Sequence, residues 1–198
     1  MAERWNLDGG PVQFFTGWLA DAVQLEFGNS WRLYQGFPVI ELLQTAIPTT
    51  LTLIALATAI VSLGGLGATI GWLPKRLDPF LRVIGLVPAL VLALAGAAII
   101  ELTFGFGSFS DTGRLARLAI GAAVLGLSDG AFTGAVLGTR TTFETESKQR
   151  YVGIAILRGE GEMANTWPNV APALIGQLRA RIIHLLSGAV VVEVILRI

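Results

Sequence analysis

The chain has 198 residues, no cysteine, and equal numbers of Lys+Arg and Asp+Glu, 14 of each. Its mean hydropathy is +0.66. With 53% hydrophobic residues plus 24 glycines, about 65% of it is apolar against roughly 45–50% in soluble domains, which excludes an ordinary water-soluble domain and a disordered chain. Zero net charge removes the electrostatic basis for nucleic-acid binding, and the lack of thiols excludes disulfides, zinc–thiolate sites, iron–sulfur clusters and thiol catalysis. The expected class is an all-α, polytopic integral membrane protein.

In chain order, residues 1–44 form a periplasmic or interfacial segment, and residues 45–198 the transmembrane domain. Within 11–25, Val12, Phe15, Leu19, Ala22 and Val23 recur at helical spacing, predicting an amphipathic helix on the membrane surface. Gly28-Asn29-Ser30 and Gly36-Phe37-Pro38 read as turns. A spanning helix needs about 20 mostly apolar residues, because hydrocarbon cannot satisfy backbone polar groups. Four stretches qualify, at about 46–72, 82–104, 118–139 and 180–198. Pro48 sits in the first turn of the first, where a missing amide hydrogen is tolerated. The 140–179 connection is polar. A helix is expected over 143–157, with Gly159-Glu160-Gly161 breaking it, a second turn at Trp167-Pro168-Asn169, and one long helix from 171 to the end.

Charge orients these spans. Nine of the 14 basic residues fall in or beside the 73–81 and 140–179 connections, so both should be cytoplasmic. The N-terminal segment and the 105–117 loop should then face outward. No cleavable signal pattern precedes the first span, which would itself direct insertion. All five tryptophans, Trp5, Trp18, Trp31, Trp72 and Trp167, fall outside the span centres, as interfacial anchors would.

Several residues stand out. Gly126, Gly130, Gly134 and Gly138 recur every four positions and form a small-residue ribbon for close helix packing, read first as an intramolecular contact and second as a subunit contact. Asp129, His184 and Glu193 are polar groups within the spans, where ionisable side chains face protein or water. Asp129 is expected to bond Ser128, Thr133 or a neighbouring helix, or else to serve as a relay or substrate contact. Glu101 and Arg197 lie near span ends and can snorkel. One histidine offers no metal cluster, and no catalytic triad can be assembled. No GxxxxGK[ST] loop occurs, so the chain carries no nucleotide-hydrolysing phosphate loop. No catalytic residue, metal or cofactor is expected, and the chain reads as a non-enzyme.

Ordered motifs along the chain carry a resemblance. They are Leu7-Asp8, Trp18-Leu19, Glu26-Phe27-Gly28-Asn29-Ser30, Pro38-Val39, and Pro48-Thr49-Thr50-Leu51-Thr52-Leu53. They continue with Val87-Pro88-Ala89, Tyr151-Val152 with Ala155 and Gly159, and Ser187-Gly188-Ala189-Val190-Val191-Val192-Glu193. Together they resemble the membrane permease subunit of peptide- and nickel-type ABC importers. The resemblance implies half of a solute pathway in a bacterial-type inner membrane, worked by ATP-binding subunits, a second permease and a periplasmic binding protein. It also implies that Tyr151, Ala155 and Gly159 belong to the loop that couples to the ATPase. It begins after the family's first helix and stops before its last. The interval from Gly159 to Asn169 is about one helical turn shorter than the family's, and Ala164-Asn165-Thr166-Trp167 replaces its dibasic or histidine-containing stretch. These departures define two alternatives: a permease-derived accessory subunit of a larger membrane complex, such as an energy-converting one, without transport activity, or a fragment of a longer permease.

Overall fold

The computed structural model describes residues 10–30, 35–105 and 111–198. Expectations attached to Trp5, Leu7, Asp8, Trp31 and the 106–110 part of the second connection lie outside the described residues. Among those residues the protein is all-helical, with one isolated bridge between Asn29 and Pro38 and no strand. The chain divides into two compact units, Met1–Thr49 and Thr50–Ile198.

In the first unit, α1 spans Gly10–Val23. It ends in a Schellman-type turn: the Glu26 amide donates to the Asp21 carbonyl (2.8 Å) and the Leu25 amide to that of Ala22 (3.1 Å), with Leu25 at φ 65. Gly28 and Gly36 adopt left-handed φ values of 67 and 84 at the two predicted turns. Between them the Ser30 amide donates to the Phe37 carbonyl (2.7 Å), and the Val39 amide to that of Gly28 (2.9 Å). The chain then enters α2, Val39–Thr69, which begins seven residues earlier than the predicted span.

The second unit holds the remaining helices. They are α3 (Asp78–Gly85), α4 (Ala89–Phe104), α5 (Asp111–Leu127), α6 (Ala131–Ser147), α7 (Arg150–Leu157) and α8 (Glu162–Leu196). Their core is built on short-period stripes. Ala89, Ala93, Gly96 and Ile100 of α4, and Leu185, Ala189, Val192 and Leu196 of α8, are buried at the same four-three-four spacing. Leu53, Ala57 and Val61 of α2, with Ala122 and Leu125 of α5, complete the cluster. Alanines recur among its Leu, Ile and Val side chains, and small residues let helix backbones approach closely where the solvent is lipid.

Two helices, Val39–Thr69 and Thr112–Ser147, are long and apolar enough to cross a membrane among the described residues. A third candidate is the α3–α4 pair, bent by 94°. The predicted 82–104 span is therefore not one rod. Pro88 has no amide hydrogen and disfavours helical backbone at Val87, and α4 alone has 16 residues, about 24 Å, short of a bilayer core of about 30 Å. The predicted 118–139 span is also interrupted: a 3-10 turn at Ser128–Gly130 places Asp129 at φ 50 and Gly130 at φ 74.

The 140–179 connection is helical, as expected, but its helices are divided differently. α6 runs on to Ser147, and extended backbone at Gln149 (φ −67, ψ 146) separates it from α7, so 143–157 is two helices rather than one. No turn forms at Trp167-Pro168-Asn169, because α8 continues through Pro168 and Pro172. Those prolines leave the carbonyls of Ala164 and Pro168 without their usual helical donors. Ala164, Pro168 and Pro172 are all exposed, so the freed carbonyls lie on an open face where other donors can reach them. The predicted final span is the C-terminal part of α8, whose last 18 residues include Arg179, Arg181 and Glu193.

Candidate functional site

The two helix breaks meet. The Asp129 amide donates to the Val87 carbonyl (3.2 Å), joining the α5–α6 turn to the α3–α4 corner. The Thr133 hydroxyl donates to the Leu81 carbonyl (2.6 Å). Gly85 makes this crossing possible, since a methyl group there would lie 2.7 Å from the Thr133 hydroxyl oxygen, and Gly130 supplies the left-handed backbone, at φ 74, that turns the chain. Irregular backbone at this depth survives where protein or water, not lipid, surrounds it.

Beside the break is an open cleft of about 350 Å³, lined by Asp129, Ala131, Gln177, Ala180, Arg181 and His184. Arg181 is its structural centre. Its Nη1 donates to the Ala131 carbonyl (2.8 Å), and its guanidinium lies over Gly134, where a methyl group would stand 2.8 Å from Nη2. Asp129 is exposed, and among the described residues it forms no ion pair with the Arg181 that shares its cleft. A second, mostly apolar cleft of about 230 Å³ adjoins it, walled by Val61, Leu66, Trp167 and Leu174 and sharing Gln177 and Arg181. The arrangement can hold a polar solute or cover polar groups of another protein. It shows no nucleophile–base pairing, and no metal-binding cluster occurs among the described residues.

The glycine series does not form one continuous ribbon, because the break falls inside it. Gly126 approaches the Ala57 carbonyl of α2, Gly130 the α3 end, Gly134 the Arg181 guanidinium, and Gly138 the Gln177 amide. Gly134 and Gly138 thus make room for polar side chains of α8. Gln177, Arg181, His184 and Gly188 follow each other at helical spacing in the sequence, but that spacing does not say which face of the chain they meet.

Three further groups complete the polar map. Glu101 does not rely on snorkelling, because it faces Arg117 at 3.8 Å, with the Arg117 side chain almost fully buried. Glu193 has a buried Oε1 with no hydrogen-bond partner among the described residues. Arg140 is buried on α6, paired with Asp78 and donating from Nη2 to the Leu73 carbonyl (2.6 Å), while Lys75 pairs with Glu144. These contacts tie the 73–81 connection to the C-terminal part of α6. The sequence reading had counted these cations only as topology signals.

The residues carried over from the permease resemblance lie on α7 and its exit. The Tyr151 hydroxyl donates to Glu146 Oε1 and accepts from Asn169 Nδ2, both at 2.7 Å. Desolvation, and then the Glu146 carboxylate beside it, raise the Tyr151 phenol above its ordinary value. Ala155 is buried with Val152 where α7 packs on α8, so its small side chain serves that internal contact. The outward face of α7 carries Ile154, Leu157 and Arg158. Gly159, at φ 82, makes the turn into α8. No protein-family model matches this chain, and no characterised protein matches it.

Proposed function

We propose that the chain is a permease-like membrane subunit contributing one wall of a solute pathway, similar to the subunits of peptide-type ABC importers. The observation that carries this reading is the meeting of two interrupted apolar segments beside a polar cleft, through the Asp129–Val87 backbone bond. Interrupted membrane helices expose backbone polar groups at depth, and such breaks mark solute sites in transporters. In this reading there are four crossings: α2, the α3–α4 pair, the α5–α6 pair and the C-terminal half of α8. The fourth is supported by the buried stripe from Leu185 to Leu196. The chain sits in a bacterial-type inner membrane with 73–81 and 140–179 on the cytoplasmic side. The pairing of Lys75 with Glu144 and of Asp78 with Arg140 agrees with a shared side for those connections. The outward face of α7 is then the surface offered to an ATP-binding subunit, and a second permease closes the pathway.

One observation favours the accessory-subunit reading. Asp129 and His184 are exposed at the level of the break, and ionisable groups there require protein or water against them. A non-transporting partner would cover them equally well. Mild-detergent purification of the tagged chain from its native membrane separates the readings. Recovery of ATP-binding subunits with a second permease, and loss of that association in Leu157→Asp, is expected for the permease. A stable complex lacking any ATPase overturns it in favour of the accessory role.

A further inference from the structure

We infer that α1 is an interfacial anchor, lying along the bilayer surface with its aromatic face in the headgroup–acyl boundary of uncharged lipid. This rests on α2 crossing the membrane and not on the permease reading.

The helix buries none of its 14 residues. At 100° per residue, Phe14, Trp18, Phe15, Leu19, Val12 and Val23 fall in one half of its circumference. Gln13, Thr16, Gly17 and Asp21 fall in the other. Val12 and Val23 are 75% and 78% exposed, and Phe15 and Trp18 stack with ring centroids 6.2 Å apart. Six large apolar side chains on one face cannot stay in water without cost, and aromatic rings favour the membrane interface.

The chain also restricts where α1 can go. The Val39 amide bonds the Gly28 carbonyl, so the first residue of α2 lies beside Gly28. Only 24–27 then separate the end of α1 from Gly28 beside the start of α2, a reach of about 18 Å over five residue steps. α2 has 31 residues, about 46 Å, against a bilayer core of about 30 Å. Its N-terminal end therefore stands at the headgroups, and α1 is held within reach of them.

Charge selects the lipid. Asp21 is the sole charged residue of α1, Glu26 follows it, and 10–30 contains no Lys or Arg. Attraction to anionic lipid, which draws basic amphipathic helices to membranes, is absent. Apolar insertion is left as the driving force, and it needs neither negative lipid nor low salt.

The test uses the full chain in phosphatidylcholine nanodiscs. Because the chain has no cysteine, Phe15→Cys, Leu19→Cys, Thr16→Cys and Asp21→Cys each supply one spin-label site. Collision with oxygen and with a water-soluble nickel chelate reads the depth of each label. Nickel access at 15 and 19 is expected to be about fivefold below that at 16 and 21, with high oxygen access, as for a helix half-sunk in the interface. High salt should leave the pattern unchanged. Adding Trp18→Asp should raise nickel access at Leu19→Cys towards the level at 16. No buried side chain is lost in these variants, so misfolding does not confuse the result. Equal nickel access at all four positions overturns the inference in favour of a water-exposed helix. Exclusion of both reagents from 15 and 19 overturns it in favour of protein cover.

Discussion

Arg140 shows what one cation can do at a membrane edge. Its guanidinium is buried, meets Asp78 and donates to the Leu73 carbonyl, so removing it strands two acceptors at once. Arg140→Gln should destabilise the protein by about 3 kcal/mol in thermal or SDS unfolding, whereas breaking an exposed pair changes stability by less than about 1 kcal/mol. A Lys at this position should recover only part of the loss, since an ammonium cannot present the planar fork. The glycines divide in a similar way. A methyl group at Gly134 meets the Arg181 guanidinium at 2.8 Å, while one at Gly153 meets nothing within 4 Å. Gly134→Ala must push the Arg181 guanidinium off the Ala131 carbonyl, so that after the helix-propensity gain a net cost of about 1 kcal/mol remains. Gly153→Ala in α7 should stabilise by about 0.5–1 kcal/mol through helix propensity alone. Unfolding midpoints of the two variants, measured side by side in one detergent, check both signs.

Among the elements, the breaks matter more than the rods. Pro88 marks the α3–α4 corner in the sequence. The α5–α6 break has no proline and depends on Asp129 and Gly130 in left-handed backbone, a conformation that the crossing at Val87 holds in place. The α7–α8 hairpin has its own clasp, Glu146–Tyr151–Asn169. The Tyr151 phenol is raised above its ordinary value of 10.0, first by desolvation and then by the Glu146 carboxylate. Its protonated form therefore supports the folded hairpin fully below the ordinary value, and that support is lost as pH rises through the raised one. Absorbance titration should show a phenolate step above the ordinary range that is missing in Tyr151→Phe. The same substitution should flatten the alkaline loss of α7 protection in hydrogen exchange. The chain has a second tyrosine, Tyr34, so the overturning result is loss of a step at the ordinary position in Tyr151→Phe, which would mean that the clasp does not form.

At the scale of the whole molecule, the testable quantity is sidedness. Single cysteines replacing Lys75 and Arg158 should react with an impermeant reagent from the same side of sealed vesicles, and one replacing Thr103 from the opposite side. Composition and apolar periodicity were sufficient to read an all-helical membrane protein, because the bilayer imposes its length and polarity on each segment independently. The α1 helix, the turns at Gly28 and Gly36, and the Gly159 exit were legible for a related reason: each is governed by a few adjacent residues. What the sequence could not convey was how distant backbone groups satisfy one another. The interruption at Asp129, the uninterrupted run of α8 through two prolines, and the gathering of Arg181, Gln177 and His184 beside the break all depend on partners tens of residues away. Glycine spacing announced close approach but not its object. Only the packed helices decided that Gly134 and Gly138 shelter polar side chains, and that Arg140 and Arg117 are structural ions rather than simple markers of topology. Backbone hydrogen bonding within a segment is local and can be read from the chain. Satisfaction of buried charge and broken backbone is collective, and only the tertiary structure decides it.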